Sequence, residues 1–96
     1  MTFEQFSASL AGDAPPQGLG PAARALWLDG KGRWSDAHDL AGDIDSSDGA
    51  RIHAYLHRKE GDLDNAGYWY RQARRPPATV TLAEEWEALV RELLDS

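Results

Sequence analysis

The 96-residue chain contains no cysteine. A disulfide framework, a thiolate zinc site and a cysteine nucleophile are therefore all excluded. No apolar run reaches the roughly 18 residues of a membrane span, and the first ten residues lack the basic start and long apolar centre of a signal peptide. We therefore expect a cytoplasmic protein that does not bind membranes.

Common catalytic and nucleotide-binding motifs are also missing from the sequence. It has no glycine-rich phosphate loop, no serine nucleophile elbow and no recognisable pair of catalytic carboxylates. The segment Asp43 to Gly49 hints at a calcium loop, but its glycine comes one position late and no acid closes the loop. A net charge of −6 disfavours nucleic acid as a partner. We expect no enzymatic activity and no cofactor.

What the sequence does contain is a near-repetition of one pattern. The matching pairs, with the second member 29 residues after the first, are Ala25/Ala54, Gly32/Gly61, Trp34/Leu63 and Ala37/Ala66. A period this short fits a pair of helices, and one helical hairpin cannot bury its apolar face alone. The pattern predicts two helical hairpins stacked on each other.

Turn and capping signals divide this single all-α domain into four parts. They predict an N-terminal helix with a Pro/Gly connector over 1–20, a first hairpin over 21–42, a second hairpin over 48–76 and a C-terminal capping helix over 81–95. Thr2 and Thr81 each begin a capping box. Ser35 and Asp64 are the expected N-caps of the two return helices.

The second hairpin resembles a tetratricopeptide repeat. The residues that carry the resemblance are Ala54, Gly61-Asp62-Leu63, Ala66, Tyr70 and Ala73. Residues 52–62 and 68–71 are also similar to a group of small bacterial proteins. The repeat resemblance implies that an extended peptide binds on the concave surface lined by the first helix of each hairpin.

On the corresponding side of the 49–60 helix lie Arg51, Tyr55, Arg58 and Lys59. Two guanidinium groups around an aromatic ring suit a carboxylate and an apolar side chain. We therefore predict a protein or acidic peptide as the partner. In the alternative interpretation, Tyr55 packs against the last helix and both arginines are solvated. A further alternative is that the basic segment 51–75 pairs with the acidic segments 29–48 and 84–95 of the same chain. Because two hairpins make a short solenoid, a homodimer is also plausible.

The histidines offer a second, different kind of site. His53 and His57 lie one helical turn apart, with Glu60 on the same side, and His38 stands on the preceding return helix. Together with Trp69 and Tyr70, they could bind a small ligand or a metal ion. The repeat alignment instead turns His53 and His57 toward the second return helix. We therefore expect hydrogen-bonded structural histidines and no bound metal.

Overall fold

A computed structural model describes residues 1–95, and within that range the chain forms only helices and connecting turns. The elements are α1 (Phe3–Ala8), a 3-10 turn (Ser9–Ala11), α2 (Pro21–Gly30), α3 (Trp34–Gly42), α4 (Ser47–Lys59), α5 (Leu63–Gln72) and α6 (Leu82–Asp95). The predicted all-α class is confirmed. None of these helices is both long and apolar enough to cross a lipid bilayer.

Two of the helices begin at the capping boxes predicted from the sequence. The Thr2 hydroxyl accepts a hydrogen bond from the Gln5 amide at 3.1 Å, and Thr81 makes the same bond with Glu84. These bonds satisfy amides that have no partner inside the helix. α2 begins at Pro21, where a missing amide hydrogen costs nothing.

The return helices α3 and α5 begin earlier than predicted. The N-cap of α3 is Arg33 rather than Ser35, and that of α5 is Asp62 rather than Asp64. Asp62 is the acceptor within reach, because its Oδ1 takes a hydrogen bond from the Asn65 amide at 3.2 Å. The N-cap of each return helix therefore lies two residues earlier than predicted.

The helices pack as two hairpins with α6 laid across them. α3 folds back on α2, α5 folds back on α4, and α4 also contacts α3. Both hairpin turns use a glycine in the left-handed region, Gly32 at φ 78° and Gly61 at φ 88°. α6 packs against both α2 and α4, and α1 packs against α6. The surface lined by the first helices of the two hairpins is thus covered by the chain's own last helix.

The buried apolar side chains form two separate clusters. The main core joins α1, α2, α3, α4 and α6 around large, fully buried side chains, which are Phe6, Leu26, Trp27, Ile52, Leu56 and Val90. The second cluster consists of Ala54, Ala66 and Tyr70, with Trp69 and Ala78 packed against it. α5 is therefore attached to the molecule mainly through α4 and this small satellite cluster.

Candidate functional site

The two arginines of the predicted peptide face are paired with α6. Arg51 Nη2 donates to Glu92 Oε2 at 2.6 Å, and Arg58 Nη1 donates to Glu85 Oε1 at 2.8 Å. Arg58 also donates to the carbonyl of Val80. The two acceptors differ, because the Glu92 side chain is 51% exposed whereas that of Glu85 is only 10% exposed.

The other two predicted residues point to Asp29 on α2. Tyr55 is buried, and its hydroxyl donates to Asp29 Oδ2 at 3.0 Å. Lys59 Nζ donates to Asp29 Oδ1 at 2.9 Å. Burial raises the pKa of Tyr55, and the charge of Asp29 raises it further. The prediction that these four residues form a free peptide-binding face is corrected here, because Tyr55 is buried and Arg51, Arg58 and Lys59 pair with acids of α2 and α6.

Arg51 nevertheless lines a groove that the sequence analysis missed. The groove has a volume of about 200 Å³ and lies between α4, the segment after α5, and α6. Its other lining residues are Tyr70, Arg75, Pro76, Ala78, Val80, Glu85, Ala88 and Leu89. Within residues 1–95, exposed Arg75 has no ion-pair partner. We call this feature the Arg51–Arg75 groove.

The three histidines of the chain come together between α3 and α4. Each can offer one ring nitrogen such that the three nitrogens lie within 4.8 Å of one another. His38 Nε2 and His57 Nε2 are 3.3 Å apart. The ring centroid of His53 lies 4.6 Å from that of His38 and 5.8 Å from that of His57. We call this group the histidine cluster.

Two tryptophans and a carboxylate hold the imidazole rings in place. Trp34 stacks on His38 with centroids 4.9 Å apart, and Trp69 stacks on His53 at 4.2 Å. His57 Nδ1 lies 2.7 Å from Glu60 Oε1. The aromatic walls and this hydrogen bond fix the ring planes within the histidine cluster.

His53 differs from the hydrogen-bonded histidine expected from the sequence. Its exposed fraction is 6%, and neither ring nitrogen has a hydrogen-bond partner within residues 1–95. Burial lowers the pKa of His53 to about 4, with further contributions from the charges of His38 and His57. The ring is therefore neutral at pH 7, and both nitrogens are unsatisfied.

The alternative ligand cluster predicted from the sequence is assembled in part. Trp69 joins the histidines, whereas the Tyr70 hydroxyl donates to Glu85 Oε2 at 2.5 Å, in the Arg51–Arg75 groove. The sequence analysis missed that Trp34 stacks on His38, although a spacing of four residues places both on one helix face.

Comparisons with family models, with curated proteins and with solved structures found no match, so function is argued from this geometry.

Proposed function

We propose that the protein is a small interaction module, related in architecture to tetratricopeptide repeats, that binds an acidic peptide segment in the Arg51–Arg75 groove. A single observation carries the proposal. Two arginines from different segments line one groove whose remaining surface is largely apolar. Such a groove suits a peptide with a carboxylate next to an apolar side chain.

The two arginines of the groove favour an acidic ligand, because its one acid, Glu85, is already paired with Arg58. Arg75 is exposed and has no ion-pair partner within the described part of the chain, so it can bind a carboxylate without breaking an internal contact. Arg51 is paired with Glu92, whose side chain is half exposed. Although the Arg51 side chain is only 18% exposed, the released Glu92 carboxylate can be hydrated, so Arg51 can exchange this partner for a peptide carboxylate at little cost.

The apolar part of the groove provides a contact for a neighbouring side chain of the peptide. Val80 is 45% exposed, and it lies beside Ala78 and the buried Leu89. Removing such a surface from water is favourable by roughly 25 cal/mol for each Å². A peptide that is acidic but carries no apolar residue should therefore bind less tightly.

The resemblance to tetratricopeptide repeats is supported by the packing of the two hairpins. The four alanines that match between the hairpins, Ala25, Ala37, Ala54 and Ala66, are at most 2% exposed. Small residues at these positions let paired helices approach closely. The proposal differs from the usual binding mode of such repeats, because α6 covers the surface lined by the first helices.

A peptide-display library selected on the immobilised chain tests the proposal. We expect it to enrich acidic sequences that also contain an apolar residue. One enriched peptide, labelled with fluorescein, is then titrated by fluorescence anisotropy. Replacing Arg75 with glutamate should weaken its binding by at least about tenfold, because a hydrogen bond to a charged group contributes about 1.5–3 kcal/mol. Binding should also weaken with added salt.

Arg24→Glu is the matched control. Arg24 is exposed on α2, has no ion-pair partner within residues 1–95 and does not line the groove. The same charge change at Arg24 should leave the affinity within about twofold if the contact is local. Selection of peptides without acidic residues, or equal losses in both variants, would contradict the proposal.

A further inference from the structure

The spacing of the histidine nitrogens matches the geometry of metal coordination. Two nitrogens bound at about 2.0–2.1 Å to one tetrahedral ion lie about 3.3–3.4 Å apart. His38 Nε2 and His57 Nε2 are separated by 3.3 Å, and a nitrogen of His53 is within 4.8 Å of both. The three nitrogens therefore face one common space between α3 and α4, with His53 the ligand farthest from the ideal spacing.

We propose that His38, His53 and His57 bind one divalent transition-metal ion, such as Zn²⁺. This binding would be a second property of the protein, independent of the peptide groove. It departs from the expectation, based on the sequence, that no metal is bound.

The unsatisfied nitrogens of His53 are the second, independent observation. A buried polar group without a hydrogen bond costs about 1–3 kcal/mol, and natural structures contain few of them. Both His53 nitrogens are in this position although the residue is 94% buried, given its exposed fraction of 6%. A metal ion would satisfy one of them directly.

The surroundings of His57 are those of a metal ligand. Metal-binding histidines usually bind a carboxylate or a carbonyl through the nitrogen that does not face the ion. His57 Nδ1 contacts Glu60 Oε1 at 2.7 Å, so its Nε2 is directed to His38. A carboxylate partner holds a proton on Nδ1, so the Nε2 lone pair of His57 faces His38 Nε2, and an ion would replace this contact between the two nitrogens.

The donor set indicates which ions would bind. Imidazole nitrogens suit zinc, nickel, cobalt and copper, whereas calcium and magnesium prefer oxygen ligands. The chain has no cysteine to supply a thiolate. Three protein ligands leave a fourth position for water or another small ligand. His38 has a side-chain exposure of 31%, so the cluster is open to solvent on that side.

Isothermal titration calorimetry of the full chain tests this proposal, with Zn²⁺ and Ni²⁺ as probes and Mg²⁺ as the negative control. We expect one ion to bind per chain, with a higher melting temperature when zinc is present. NMR spectra should show changes in all three imidazole rings. Calorimetry without stoichiometric binding of zinc or nickel to the folded chain would overturn the proposal, and the histidine cluster would then be structural.

Two substitutions of ligands keep the test decisive. His38→Gln changes a partly exposed residue, so the variant should fold. It should lose at least about 100-fold in zinc affinity, since changing a residue that only hydrogen-bonds a metal ligand already costs about 10–100-fold. His53→Phe keeps an aromatic ring over Trp69 while removing both nitrogens. If His53→Phe fails to fold, the His38 variant alone decides between the two outcomes.

Asp62→Asn is the matched control for a competing site. His57, Glu60 and Asp62 form another group whose ligand atoms are close together. Asparagine is also a good N-cap, so Asp62→Asn should leave α5 folded. Because the proposed ligands are the three histidines, this variant should bind zinc normally. Zinc binding that is lost in Asp62→Asn but kept in His38→Gln would assign the ion to that other group and refute the proposal.

Discussion

The two arginine–glutamate pairs on α4 predict different costs for the same substitution. Replacing Arg58 with methionine keeps most of the aliphatic stem but removes the partner of Glu85, whose side chain is only 10% exposed. The same change at Arg51 releases Glu92, whose side chain is 51% exposed and can be hydrated. The first variant should be clearly destabilised and the second almost unaffected.

The expected magnitudes follow from these exposures. Breaking a buried ion pair by removing one partner costs about 3–5 kcal/mol. Glu85 still accepts a hydrogen bond from Tyr70, and the Arg58 side chain is 20% exposed, so we expect the lower value of about 2–3 kcal/mol. For Arg51→Met we expect about 0–1 kcal/mol. In a domain of this size the first loss corresponds to a melting temperature lower by about 10–20 °C.

Urea denaturation followed by circular dichroism measures both variants under identical conditions. The denaturant slope should stay constant, so that the shift in midpoint reports stability alone. The double variant Arg58→Met/Glu85→Gln should be more stable than Arg58→Met, because it leaves no unpaired buried charge. Equal and small effects at Arg58 and Arg51 would show that Glu85 is hydrated and would refute this reasoning.

Three further predictions concern close packing and the protonation of His53. Gly49→Ala should destabilise the protein in urea denaturation by about 1–3 kcal/mol or more, because a Cβ at position 49 would lie 2.2 Å from the carbonyl oxygen of Ile44. Gly67→Ala should instead stabilise the protein by about 0.5–1 kcal/mol, because a Cβ at position 67 has no neighbour closer than 3.5 Å. Ala66→Leu should overpack the second hairpin and cost about 1–3 kcal/mol, so a melting temperature equal to the wild type would be inconsistent with close helix contact there. With a chelator present, the free energy of unfolding should fall by up to about 3 kcal/mol as the pH is lowered from about 6.5 to about 4, since unfolded His53 takes up a proton that folded His53 resists. The fall should be smaller in His53→Phe, and identical pH profiles would contradict it.

Local signals in the sequence were sufficient to predict most of the helices. The capping boxes at Thr2 and Thr81 are decided by residues within one helical turn, and both have their predicted role in the structure. The N-caps at Arg33 and Asp62 were missed because several polar residues near each turn could have served.

The candidate sites could be predicted only in part, because they depend on contacts between helices that are distant in sequence. Periodicity shows that α6 has an apolar face, but it does not show that this face covers α2 and α4, which is why Tyr55 was expected to be exposed. The pairing of His53 with His57 follows from a spacing of four residues. The approach of His38 depends on how α3 packs on α4, and no local pattern contains that information.

The separation of the apolar side chains into two clusters implies that the protein has two cooperative units. α5 rests on the small satellite cluster, so it should open at a lower free energy than the main core, and its amides should exchange with deuterium before those of the buried part of α4. Such an opening would lift Trp69 away from His53 without global unfolding. His53 would then be reached from solvent through the motion of a single helix.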